Sequence, residues 1–259
     1  MNLANPKQPL TLDEVWQAHK CDIRNVHPGF KVVFLSLNGS RLYGTNREDS
    51  DHDLCGAAIE TRDHVFGLNV FEQWEFKSYQ TEGTIYSLRK FVRLLAQNNP
   101  TLLCLLFNQH AIDPYGLQKI RDAFPNRKAA DAFHGYAKQQ LYRISHVTGM
   151  HVTRQDLIDA HGYDTKYAAH ILRLYRQGKE YIQTRHITLP MTAEAIDEYK
   201  FIYNGGFKTF DEFRKYAEPK IDKLDQLRKN CPLPDNCDDD TINDWLIDTY
   251  TKFYAGDTQ

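Results

Sequence analysis

Apolar positions repeat at two different spacings along the chain. Residues 32–35 form a short apolar, partly β-branched run of strand length, and Gly39-Ser40 breaks it. A second such run, residues 54–59, follows directly on Asp51-His52-Asp53. Residues 71–79 contain Trp74 and Phe76 and predict a further strand, with Thr81-Glu82-Gly83 as the break after it. From Thr84 the period becomes helical: Ile85, Leu88, Val92 and Leu95 share one face, and Arg89 and Arg93 share another. Asn98-Asn99-Pro100 stops this helix, and a strongly apolar one is predicted over 101–107. Helices are then expected over 129–147, ended by Gly149, and over 164–184, 193–203, 210–227 and 241–254. Near the N-terminus, Thr11 and Glu14 have capping-box spacing and predict a short helix with Val15, Trp16 and His19. His27-Pro28-Gly29 reads as a turn into the first strand. The expected class is α+β: a small sheet with helices over residues 1–125, then a helical domain over 126–259.

The chemistry concentrates between Lys31 and Glu60. Side chains two apart on a strand point to one face, so Asp51 and Asp53 would stand side by side. Two carboxylates that close repel unless something neutralises them. A divalent cation with oxygen ligands, Mg²⁺ (or Mn²⁺), suits the pair. Gly39 lets backbone approach a ligand, and Ser40 adds a hydroxyl and an amide near a helix start, where anions bind. Metal on one side and phosphate on the other describe a site for a nucleoside triphosphate.

These residues also carry a resemblance. Gly39-Ser40, a gap of ten residues and then Asp51-x-Asp53 resembles the signature of the polymerase-β-like nucleotidyltransferase superfamily. The wording GSRLYGTNREDSDHDLCG is similar to one branch of it, nucleotidyltransferases associated with bacterial and phage RNA repair. Later blocks agree in order: YSLRKF at 86–91, Asn99-Pro100, Gly135-Tyr136-Ala137 with Gln140-Leu141, and Gly162-Tyr163-Asp164-Thr165-Lys166 leading to His170 and Arg173. The resemblance covers residues 30 to 190. It implies a polymerase-β-like core (a small mixed sheet with helices) followed by a helical substrate domain. It also implies transfer of a nucleoside monophosphate from an NTP to an acceptor hydroxyl, with two metal ions and release of pyrophosphate. The expected acceptor is an RNA end, tRNA among them.

A third metal-binding carboxylate is expected from a neighbouring strand. Glu72, Glu75 and Glu82 are candidates, and Glu82 stands four residues before Tyr86, where related sequences tend to carry an acid. Asp51, Asp53 and Glu82 are therefore the expected catalytic and metal-binding set, with Glu82 as general base. Gly39 and Ser40 are expected on the nucleotide phosphates. Arg41 would either approach phosphate or stay solvated, and Lys90 would either face the cleft or lie on a solvated helix side. Lys166, His170 and Arg173 are spaced i, i+4, i+7 on one helix face, with Asp164 as the N-cap. Lys166 is expected to reach the triphosphate, and His170 and Arg173 to touch nucleotide or acceptor. Tyr163 would stack on the base or simply pack.

Composition narrows the rest. With 259 residues, 41% hydrophobic and 25% charged, a real core is expected. The net charge of −2 supplies no global field toward nucleic acid, so RNA contacts need local basic patches. Five cysteines, at 21, 55, 104, 231 and 237, form no CxxC pair, and no apolar run approaches membrane-spanning length; a reducing cytoplasm is expected. Asp238-Asp239-Asp240 precedes a helix, where negative charge suits the dipole better than it suits a metal site. Two alternatives stay open: transfer to a protein hydroxyl or a small molecule such as an aminoglycoside, and a non-catalytic nucleotide-binding module.

Overall fold

The computed structural model of the chain describes residues 29–48, 50–77, 81–146 and 154–256. The helix expected near Thr11, the turn residues His27 and Pro28, and the stop at Gly149 lie outside the described residues. Two compact units emerge. The first comprises Met1–Ala96, Thr101–Phe124 and Asp238–Gln259; the second comprises Gln97–Pro100 and Pro125–Cys237. The chain passes from the first unit to the second near residue 125, and the segment from Asp238 on groups with the first unit.

The first unit is built on a four-stranded mixed sheet. Strand β1 (Lys31–Leu37) pairs antiparallel with β2 (His52–Ile59), and the short helix α1 (Gly39–Tyr43) lies between them in sequence. Helix α2 (Arg62–Phe66) follows, then β3 (Gln73–Lys77) and β4 (Thr81–Ser87). β4 pairs parallel with β2 and antiparallel with β3, so the order across the sheet is β1-β2-β4-β3. β2 is inside the sheet, and its residues from Leu54 to Ile59 are all buried. The helix expected from Thr84 begins four residues later: Thr81–Ser87 is strand, and α3 (Leu88–Ala96) starts where it ends. Alternating Thr81, Gly83, Ile85 and Ser87 carry too little apolar signal to mark a strand, and its fit is fixed by pairing on both sides.

Core packing follows the predicted faces. α3 buries Leu88, Phe91, Val92 and Leu95, and Phe91 meets Phe34 of β1 with ring centroids 5.5 Å apart. Leu35, Leu54, Ala58 and Ile85 form a cluster on the sheet, with Trp74 and Phe76 packed against it. Helix α4 (Pro100–Leu105) and a 3₁₀ segment, Leu117–Ala123, complete the central part of the chain.

The second unit is helical: α5 (Lys128–His146), α6 (Gln155–His161), α7 (Thr165–Thr184), α8 (Ala193–Tyr203) and α9 (Phe210–Lys229). Asp164, Thr192 and Thr209 cap α7, α8 and α9 through side-chain bonds to backbone N–H groups. α5 and α7 approach closely because Gly178 leaves room for Phe133; a Cβ there would lie 2.7 Å from the Phe133 Cβ. No described helix is long and apolar enough to cross a membrane.

The last helix, α10 (Asp239–Gly256), returns to the first unit. Asp238 caps it by accepting from the Thr241 N–H (3.1 Å) and hydroxyl (2.7 Å). The Trp245 indole N–H donates to the Tyr115 carbonyl at 3.0 Å. Tyr250 donates to the Glu60 carboxylate (3.0 Å) and Tyr254 to the Glu60 carbonyl (2.5 Å). Burial pushes the Glu60 pKa up, so each donor on it matters. Tyr250→Phe is expected to lower unfolding stability by roughly 1–3 kcal/mol, because it leaves a buried carboxylate one donor short; a urea titration of both proteins measures it.

Candidate active site

The turn after β1 is shaped by one carboxylate. The Asn38 N–H donates to the Asp53 carbonyl at 2.8 Å, which ties the end of β1 to the start of β2. Gly39 then takes φ +59°, and a Cβ at this position would overlap Asp53 Oδ2 and stand 2.9 Å from its Cγ. Backbone conformation and contact both require glycine here. Leu42 and Tyr43 are buried and anchor α1, while the Ser40 carbonyl accepts from Gly44 and Thr45.

Arg41 is tied to the segment that follows it. Its Nε donates to the Asp51 carbonyl (3.1 Å) and its Nη2 to the Ser50 carbonyl (2.6 Å). The guanidinium is thereby a brace for the segment that delivers Asp51 and Asp53. Burial lowers its pKa, against the raising charges of Asp53 and Asp51.

The sheet supplies the third acid. In the parallel β2–β4 pair, Asp53 is the register partner of Glu82. Partners in register point to the same side, so the two carboxylates stand next to one another. On the other side of β4, Glu82 is the register partner of Lys77, whose ammonium meets Glu82 Oε2 at 2.9 Å. Lys77 is held above the ordinary lysine pKa by Glu82 first, and also by Asp51 and Asp53. All three predicted acids therefore lie in the field of one ammonium. Together with Asn38, Glu75 and Thr84, the residues Asp53, Lys77 and Glu82 line a cleft of about 590 Å³. The Asn38 Oδ1 is buried and accepts no hydrogen bond among the described residues.

Asp51 itself precedes β2 and is exposed. Among the described residues no three His, Cys, Asp or Glu side chains gather closely enough to hold a metal ion as they stand. The donor set nonetheless fits a hard cation: carboxylate oxygens on paired strands, an unused amide oxygen beside them, and a glycine cradle against Asp53.

The other acids divide. Glu75 lines the cleft and accepts from the Gln73 amide at 2.6 Å. Glu72 is paired with Lys90 at 3.0 Å. Lys90 also donates to Gln73 (2.9 Å) and lies 5.8 Å from the Tyr86 ring centroid, so its charge is used at the β3 edge. Lys77 and Asn38 escape a reading of the sequence alone. Lys77 occupies one end of a short edge strand, and only the β3–β4 register points it at Glu82.

The second unit holds the remaining candidates. Tyr163 is 3% exposed, stacks on Phe213 with centroids 5.9 Å apart, and donates to the Phe207 carbonyl at 3.4 Å. It packs, and offers no face to a base. Asp164 accepts from the N–H groups of Lys166 and Tyr167, both at 3.0 Å, as the predicted cap. Lys166 is exposed, whereas Arg173 is buried. Arg173 Nη1 donates to Gln177 Oε1 at 2.8 Å, and its Nη2 meets His170 Nε2. A guanidinium is always a donor, so His170 Nε2 accepts and the ring is neutral. Its pKa is pushed down to about 2, by burial first and then by Arg173, Arg154, Lys166 and Arg143.

A group neutral in the fold but protonated when unfolded destabilises the fold in acid. Stability from His170 is complete above its unfolded pKa, near 6.5, and is lost as the pH falls from there toward 2. His170→Gln keeps an acceptor without a titrating ring. Its unfolding midpoint should fall less steeply than that of the wild type between pH 6.5 and 4, as measured by denaturant titrations across that range.

Comparison with known proteins gives a family match. The family model described as RlaP, RNA repair pathway DNA polymerase beta family, matches residues 10–201. Among solved structures, a nucleotidyltransferase-like protein from Exiguobacterium sibiricum 255-15 aligns at 13% identity, covering 83% of this chain and 76% of its own, with a TM-score of 0.32. No curated protein gives a match. The family match takes in about three quarters of the chain, including the Gly39 turn, all three carboxylates and the helix that carries Lys166, His170 and Arg173. The chain belongs to the RNA repair pathway DNA polymerase β family, a family of polymerase-β-like nucleotidyltransferases.

Proposed function

We propose that the protein moves a nucleoside monophosphate from an NTP to a hydroxyl at an RNA end, tRNA being the leading candidate, with release of pyrophosphate. The observation that carries this reading is the register pairing of Asp53 with Glu82 in a cleft that both residues line, with Gly39 packed against the Asp53 carboxylate. Glu82 takes the proton of the acceptor hydroxyl. The freed oxygen bonds to the α-phosphorus, and the bond from that phosphorus to the bridging oxygen breaks, so pyrophosphate carries away the electron pair. Gly39 and Ser40 receive the β- and γ-phosphates, and the Arg41 brace keeps Asp51 and Asp53 facing them. Asp51, Asp53 and Glu82 would hold two Mg²⁺ or Mn²⁺ ions, which supply charge neutralisation for the triphosphate and a lowered pKa for the attacking hydroxyl. Most of the rate then comes from positioning and electrostatics.

In the helical unit, Lys166 is assigned to the triphosphate, and His170 and Arg173 to nucleotide or acceptor. Cys55 and Cys104 are buried free thiols, which fit a cytoplasmic setting for an RNA-directed enzyme.

The test is label transfer. The protein is supplied with Mg²⁺ or Mn²⁺, total tRNA and each α-labelled NTP in turn, beside the Asp51→Ala/Asp53→Ala variant. Label should enter RNA with the wild type and fall by at least about a thousandfold in the variant. Glu82→Ala should abolish transfer and keep nucleotide binding; full activity in that variant would remove Glu82 from the mechanism. Label in a protein band instead would move the acceptor to a protein hydroxyl.

A further inference from the structure

One row of the sheet sets a cation beside two acids. Asp53 on β2, Glu82 on β4 and Lys77 on β3 are register partners in turn, so they stand side by side on strands about 4.8 Å apart. Glu82 is the middle member and has a charged neighbour on each side. Its carboxylate is bonded toward β3, where the Lys77 ammonium donates to Oε2 at 2.9 Å. Toward β2, the described acids do not gather closely enough to hold an ion as they stand. Both features follow from where Glu82 is engaged. An ammonium and a divalent cation compete for one carboxylate, since each draws on the same negative charge and the two cations repel each other.

The fold itself has little use for the pair. Lys77 is 77% exposed and Glu82 46%, and ion pairs this open to water add little stability. The other polar groups along β3 are engaged away from Glu82: Glu75 accepts from Gln73, and Lys90 pairs with Glu72 and donates to Gln73. Lys77 instead lines the same cleft as Asp53 and Glu82, and Asp51 and Asp53 also act on its charge. A carboxylate that accepts from an ammonium is, moreover, a weaker base than a free one. Glu82 as it stands is therefore held back from the task of taking a proton.

We propose that Lys77 is the positioning residue for Glu82, a role that rests on the reading of Asp51, Asp53 and Glu82 as divalent-cation ligands. Lys77 is the resident cation of the carboxylate site: it holds Glu82 toward β3 and leaves it when a divalent cation binds. The exchange involves bonds to Glu82 alone. Lys77 gives up its N–H···Oε2 bond, Glu82 turns its oxygens toward Asp53, and no proton moves, so the ammonium stays charged. Glu82 is thereby released to act as a base only where metal is present.

The test reads metal binding without any turnover. Mn²⁺ is titrated into the full chain in the absence of nucleotide, and the free ion is measured by electron paramagnetic resonance. The variants are Lys77→Met, which keeps the length of the side chain without its charge, and Lys77→Arg, which keeps the cation. Glu82→Gln and Lys77→Met/Glu82→Gln complete a double-mutant cycle, which isolates the coupling between the two residues. Lys77→Met should bind Mn²⁺ about threefold or more tightly than the wild type, and Lys77→Arg should bind as the wild type does. With Glu82→Gln in place, the gain from Lys77→Met should vanish, because a lone charge at so exposed a position is largely screened. Mn²⁺ bound by the wild type with no gain in Lys77→Met overturns the role of Lys77 and leaves the carboxylate site standing. A gain of equal size in the Glu82→Gln background, or in Lys77→Arg, overturns it as well. Failure of both the wild type and Lys77→Met to bind Mn²⁺ removes the carboxylate site and the role of Lys77 together.

Discussion

Asp53 enters the central strand with Gly39 against its carboxylate and Glu82 beside it, and Asp51 stands two residues before it. Carboxylates brought together from neighbouring segments repel one another, and positive charge among them relieves that repulsion. Much of the first unit is arranged around that requirement. The positive φ at Gly39 makes room for the Asp53 carboxylate, and the Arg41 brace fixes the segment before it. The parallel pairing of β2 with β4 sets Glu82 on the same side, and a slip of one residue would turn it to the other face. Lys77 answers part of the charge from the antiparallel edge. An exposed lysine is a weak partner for three carboxylates. A divalent cation bound to the same oxygens would be a far stronger one.

In the helical unit His170 stands among cationic side chains, and its ring stays neutral because it accepts from the Arg173 guanidinium.

Much of this was legible in the residues and some was not. Gly39-Ser40 and Asp51-His52-Asp53 mark the candidate site because a glycine turn and an alternating pair of acids have few other uses at that spacing. The faces of α3 and the cap at Asp164 could be read because helical period and capping chemistry are local. The strand that carries Glu82 could not: its alternation is polar, and it exists because β2 and β3 pair with it on either side. Lys77 was hidden for the same reason, since it meets Glu82 only through the β3–β4 register. Arg41 and Tyr163 each allowed two readings in sequence, and what the fold adds is their local contacts: Arg41 bonds the Ser50 and Asp51 carbonyls, and Tyr163 is buried against Phe210 and Phe213. The return of α10 to the first unit had no local signal at all, because it depends on Glu60 and Tyr115, both more than a hundred residues earlier.

The central claim is that Asp51, Asp53 and Glu82 form one divalent-cation site. Electron paramagnetic resonance of Mn²⁺, titrated into the protein with a non-hydrolysable NTP analogue, tests it most directly. The account predicts two bound ions per chain in the wild type, one fewer in Glu82→Gln, and none held by the protein in Asp51→Asn/Asp53→Asn. Equal Mn²⁺ binding in all three proteins would contradict it.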